Sequence, residues 1–205
     1  LRLSNQFLFL ASLCVSVSLS SAVQFIKPSE NSYVDIQEAL ILAEPGDIIR
    51  LSAGIFTLED SLSLDVPGVQ IEGEGMGQTI LDFSNQLSGA QGLSVTSDNV
   101  TLQDFTIQNA KGDAIKVKGV TNIKFLRVKT EWTNGPSSEN GAYGLYPVES
   151  KNVLIEMRYH YNLKNTILKF ITRISFAIPE MPQSVFVYIR ICIKGKDLIN
   201  HCRIV

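Results

Sequence analysis

Histidine and cysteine are missing where this chain is most regular. It holds 2 histidines and 3 cysteines in 205 residues, and none of either falls between positions 23 and 156. That stretch therefore has no disulfide framework. It also has no catalytic or metal centre built on imidazole or thiolate. Tryptophan is nearly as scarce, with a single residue at position 132. Only 19% of residues are charged and the net charge is −2, with no sign of the basic surface that a nucleic-acid partner needs. The apolar run Phe7–Leu19 is too short and too serine-rich for a comfortable membrane span.

The charge is unevenly spread. Residues 1–156 carry 10 basic and 18 acidic side chains, whereas residues 157–205 carry 8 and 2. Both histidines, His160 and His201, and two cysteines, Cys192 and Cys202, lie in the second part, while 13 of the 14 glycines lie in the first. Residues 1–22 read as a secretory signal. Arg2 supplies the positive start, Phe7–Leu19 the apolar run, and Ser20-Ser21-Ala22 the small residues for cleavage. Leu13 is too large for a lipoprotein signal at Cys14. A secreted or periplasmic protein with no membrane span after cleavage is the expectation.

The regular stretch is built on a repeat. In Gly92–Ile107, Leu93 and Val95 share one face of a short run, Ser97-Asp98-Asn99 turns, and Val100 and Leu102 share one face of the next. Asp104 shifts the phase, and Phe105 and Ile107 resume the apolar side. Ile115 and Val117 then lead through a turn to Asn122, Ile123 and Phe125; Tyr146 and Val148 lead to Asn152, Val153 and Ile155. The steps between turn asparagines are 23 residues (99 to 122) and 30 residues (122 to 152). Such a period marks a solenoid whose units bury their apolar faces only by stacking. Strands this short pair with their equivalents one repeat along, in parallel. Asn99, Asn122 and Asn152 suit a left-handed turn position and can ladder along the stack, a structural role. Leu51, Ile71, Leu102, Phe125 and Ile155 are expected to face one core.

Before the repeat, residues 33–44 read as one amphipathic helix, with Val34, Ile36, Ala39, Leu40 and Ala43 as its apolar side and Pro45-Gly46 as its stop. Placed there, it covers the open strand edge of the first rung. The glycine-rich Glu72–Gly77 segment lacks a following lysine or helix and reads as a tight turn, not a phosphate cradle. The chain is thus expected to hold a signal (1–22), a solenoid of about five rungs (23–156) and an atypical tail (157–205). In the tail Arg158 and His160 fall where earlier units place Phe105 and Ile107. The tail reads as cut short or as translated in a shifted frame, with Ile189–Ile193 its strand-like run.

Asp35-Ile36-Gln37-Glu38-Ala39-Leu40, Pro45-Gly46-Asp47-Ile48-Ile49, Gly54-Ile55-Phe56, Val69-Gln70-Ile71-Glu72-Gly73 and Thr79-Ile80-Leu81 resemble the opening of right-handed parallel β-helix proteins. That pectin lyase-like superfamily includes pectin and pectate lyases, polygalacturonases and alginate epimerases; the chain looks most like its exported members without an assigned activity. The resemblance implies an all-β, right-handed parallel β-helix with a short N-terminal capping helix. It also implies an acidic polysaccharide as the partner, held by a non-catalytic module or acted on by a lyase or epimerase. The polygalacturonase pattern is not met, because Gly112-Asp113-Ala114 keeps one aspartate of a pair and no histidine accompanies it. Asp104, Asp113, Glu131 and Glu149 supply carboxylates, which acid–base cleavage would need as a flanking pair. Lys116, Lys118, Arg127 and Lys129 are candidates for the base or for neutralising a uronate. The insertion at 129–142 forms a loop on one face. Its Trp132, with Tyr143 and Tyr146 beyond, is a candidate sugar platform, although Tyr146 is expected to point inward. No metal site is expected: the histidines and cysteines of the tail lack ligand spacing. No cofactor is named by any motif.

Overall fold

The computed structural model describes residues 21–135, 137–138, 140–159, 187–193 and 196–199, with side chains described as far as Glu156. Most of the expected signal segment, Cys14, His160, His201 and Cys202 lie outside the described residues.

The chain is mostly β, with parallel sheets and, among the described residues, a single short helix. In order, the elements are β1 (Val23–Ile26), α1 (Ser32–Leu42), β2 (Ile48–Leu51), β3 (Gly54–Thr57), β4 (Leu62–Leu64), β5 (Gln70–Glu72), β6 (Thr79–Asp82) and β7 (Gln91–Val95). Then come β8 (Thr101–Gln108), β9 (Asp113–Lys118), β10 (Thr121–Glu131), β11 (Leu145–Val148), β12 (Lys151–Tyr159), β13 (Val187–Ile193) and β14 (Lys196–Ile199). Strands pair with their equivalents one repeat along, a β-helix-like arrangement. One stack runs β1-β2-β5-β8-β10-β12-β13, and a separate sheet runs β4-β7-β9-β11. Between them in each repeat, β3 and β6 pair with each other, and β6 with the second half of β8. The second halves of β8 and β10 continue that stack.

The core follows from this register. Ile49, Ile71, Leu102, Phe125 and Ile155 are successive partners across β2, β5, β8, β10 and β12. Each is at most 2% exposed. Leu51 is also fully buried, but it lies one pair of residues beyond this row, level with Gly73. The phase shift at Asp104 is a bend: Asp104 has φ 61° and its partner position Arg127 φ 55°, which splits β8 and β10 each into two faces. The turn asparagines behave as expected. Asn99, Asn122 and Asn152 have φ of 62°, 63° and 53°. The Nδ2 of Asn122 donates to Oδ1 of Asn99 at 2.8 Å, and that of Asn152 to Oδ1 of Asn122 at 2.9 Å. The strand registers put Gly46 and Gly68, also at positive φ, at the same corner of the preceding repeats. Replacing Asn122 by alanine should therefore destabilise more than replacing it by glycine, by about 1–2 kcal/mol, because only alanine meets the left-handed penalty. Denaturant midpoints check this, and equal values for the two variants would remove the backbone argument.

Helix α1 buries Ile36, Ala39, Leu40 and the adjoining Ala43, spaced at i, i+3, i+4 and i+7. Val34 is 53% exposed, contrary to expectation, because two residues from Ile36 is the opposite side of a helix. The helix packs on β4, β3 and β1. Its Gln37 completes the edge of β4: the carboxamide donates to the Ser63 carbonyl at 3.1 Å and accepts from the Ser63 N–H at 2.8 Å. One side chain thus satisfies groups that a further strand would otherwise pair.

One expectation is corrected. In β11 the buried residues are Leu145 and Pro147, not Tyr146 and Val148, since Leu145 pairs with Ile115 and Pro147 with Val117. A slip of one residue turns every side chain to the other face. Pro147 fits because, among the described residues, β11 is the last strand of its sheet, where a missing N–H breaks no ladder. Beyond Glu156, the run expected at Ile189–Ile193 forms a strand. β12 runs to Tyr159, β13 joins it in parallel from Val153↔Val187 to Tyr159↔Ile193, and β14 follows antiparallel.

Candidate functional site

The outward face of the β4-β7-β9-β11 sheet gathers several of the expected residues. Ser63, Ser94, Lys116 and Tyr146 are successive register partners across its strands. Lys116 is a half-buried outward residue of β9, and Lys118, two positions on, is exposed on the same side and pairs with Val148. Tyr143 and Tyr146 stack with ring centroids 4.4 Å apart and planes 20° apart. The Lys116 ammonium lies 5.9 Å from the Tyr146 ring centroid, a cation–π distance. Asp113 opens β9 beside them. Burial raises its carboxyl above the usual range, against the pull of Lys116 and a hydrogen bond from the Tyr143 N–H. The Ala114 N–H donates to the Tyr143 carbonyl at 2.9 Å, so β9 holds both sides of the tyrosine's backbone. The result is an aromatic pair with a cation on its flank and two small serines continuing the row.

Trp132 does not stand on the rim. It packs against the core, and its indole N–H donates to the Ala110 carbonyl at 2.7 Å. It anchors the start of the loop.

Arg127 is on a different face from Lys116 and Lys118, at the bend of β10. It grips Asp104 with two bonds of 2.6 Å, and its Nη1 is 3.9 Å from Glu156. The bond to Asp104 raises its pKa; burial opposes this, and Asp104, Glu156 and Glu72 add to it. Close by in the same stack, Arg50 pairs with Glu72 at 2.8 Å. Arg127 is thus committed to carboxylates of its own chain. Lys129 pairs with Glu131 at 2.7 Å. Glu149 is an exposed corner residue with φ 53°. Among the described residues no cluster of three or more histidine, cysteine, aspartate or glutamate side chains is arranged to hold a metal ion. Among the described residues no helix is long and apolar enough to cross a membrane.

A polar network ties the loop to the coil. Asp82 Oδ1 accepts from the Ser84 N–H and hydroxyl at 3.0 and 2.6 Å and from Asn109 Nδ2 at 3.1 Å. Asn109 Oδ1 in turn accepts the Thr133 N–H at 2.8 Å. Burial alone would raise the Asp82 pKa, but hydrogen bonds from Ser84, Asn109 and Gln108 outweigh it and lower it. A carboxylate lowered in the fold stabilises above its unfolded pKa, about 4, and loses that contribution as pH falls through the folded value. The stability gap between the parent and Asp82→Asn should therefore be widest near neutrality and narrow on acidification. A gap independent of pH would show that the bonds do not favour the ionised form.

No family model and no curated protein matches the chain. Among solved structures it is similar to a mutant pectin methylesterase in complex with a hexasaccharide, at 11% identity and a TM-score of 0.44, over 87% of this chain and 67% of that one. A second pectin methylesterase complex with a hexasaccharide gives 10% and 0.45 over the same shares. Likeness at this level assigns no family, and no function is drawn from it.

Proposed function

We propose that this chain is an exported, closed right-handed parallel β-helix that binds an acidic polysaccharide along the outer face of the β4-β7-β9-β11 sheet, without turning it over. The observation that carries the reading is the stacked Tyr143–Tyr146 pair with Lys116 on its flank and Lys118 on the same side. A sugar ring presents an apolar face to an aromatic one, and a uronate carboxylate is drawn to an ammonium. The row from Tyr146 through Lys116 and Ser94 to Ser63 follows the stacking axis. It spans three strand spacings, about 14 Å, long enough for a few sugar units. Arg127 has no part in this site, and Trp132 serves as a reporter of loop position.

Titration with alginate and pectate fragments, by calorimetry and by Trp132 fluorescence, tests the reading. Millimolar-range binding that weakens with salt is expected, since charges at an exposed site are screened. Tyr146→Ala should weaken it about tenfold, the loss of one good stacking contact. Lys116→Gln should flatten the salt dependence. No heat and no fluorescence change at millimolar sugar would remove the site. An unsaturated, ultraviolet-absorbing product would replace the binding module with a lyase.

A further inference from the structure

The loop after β10 contains Asn-Gly twice, at Asn134-Gly135 and Asn140-Gly141, and the fold treats the two oppositely. Glycine after asparagine puts no side chain beside the backbone nitrogen, so that nitrogen can reach the asparagine carboxamide. Asn134 and Gly135 are both exposed. Among the described residues no hydrogen bond holds the Asn134 carboxamide. Asn140 is held. Its Nδ2 donates to the Gly135 carbonyl at 2.7 Å, and its backbone N–H points to the Ser137 carbonyl at 3.3 Å. Gly141, whose nitrogen would be the nucleophile, is pressed so closely on the Gly112 carbonyl and the Trp132 ring that it has no room for even a Cβ. A turn of this residue's peptide towards the Asn140 side chain would have to disturb that packing.

We infer that Asn134 is a site of spontaneous deamidation and that the same fold shields Asn140. The Gly135 backbone nitrogen loses its proton to solvent and attacks Cγ of Asn134. The new C–N bond closes a five-membered imide as the Cγ–Nδ2 bond breaks, and the amide nitrogen takes a proton back from solvent and leaves as ammonia. Water then adds to either imide carbonyl and opens the ring to aspartate or isoaspartate. No electrons are exchanged with any other molecule. Each product adds a carboxylate to the loop that runs into Tyr143.

The test does not depend on the polysaccharide reading. Native protein and protein unfolded in guanidinium are aged together at mildly alkaline pH and digested, and both Asn-Gly peptides are followed by mass and by isoaspartate detection. In the native protein Asn134 should convert at least about tenfold faster than Asn140, because reaction at Asn140 requires local opening. In the unfolded chain the two should convert at comparable rates. Native Asn140 converting as fast as Asn134 would overturn the inference. So would a native Asn134 that stays intact while the unfolded chain reacts.

Discussion

Phe125→Ala should cost about 3–5 kcal/mol, the range for a fully buried aromatic cut back to a methyl group. The ring is 1% exposed and sits between Leu102 and Ile155, its register partners on either side. Collapse onto the vacated space is limited because β10 is laddered to β8 on one side and β12 on the other. The backbone cannot move inwards without losing parallel hydrogen bonds. The cavity therefore persists, and the lost contacts are not recovered. In urea the midpoint should fall while the slope stays unchanged, since the same surface is exposed on unfolding. A loss below about 0.5 kcal/mol, typical of surface sites, would take Phe125 out of the core.

Much of this architecture could be read from side-chain alternation. Leu93 and Val95, Val100 and Leu102, and Ile123 and Phe125 are buried as their spacing requires. Asp104 both breaks the phase and bends the strand. Tyr146 misled because an aromatic in an alternating run is taken for core. The 30-residue step from Asn122 to Asn152 carries Ile115 to Leu145, which would have turned Tyr146 outwards. Likewise the 23-residue step from Asn99 to Asn122 carries Asp104 to Arg127, so their pairing was implicit in the repeat. The approach of Glu156 to Arg127 was not, since it depends on side-chain reach across a rung. The run at Ile189–Ile193 was legible, but its pairing with β12 was hidden for another reason. Parallel pairing uses backbone groups that every non-proline residue has, so β12 and β13 can pair where the apolar pattern has already lapsed.

Gly112, just before β9, entered the sequence reading only as the neighbour of Asp113, yet it carries the second large effect. Gly112 does not need a positive φ; it needs the absence of a side chain. A Cβ there would fall on the carbonyl group and Cα of Ala90, one repeat earlier, and a Cβ on Gly141 would fall on the Gly112 carbonyl. The obstacles are backbone atoms, so no rotamer change relieves them and successive coils must part. Parting strains the bond from the Asp113 N–H to the Ala90 carbonyl at 3.1 Å and that from the Ala114 N–H to the Tyr143 carbonyl at 2.9 Å. Gly112→Ala is expected to destabilise by about 3 kcal/mol, the upper end of overpacking. Gly77→Ala is the control: a Cβ there meets nothing within 4 Å, and its effect should stay within about 0.5 kcal/mol. Because the second of the strained bonds also holds Tyr143, the Gly112 variant should lose the proposed sugar binding at temperatures where it is still folded. If the two variants melt alike, the coils are not in contact at this corner. The anchoring of the loop through Gly141 would then fall with it.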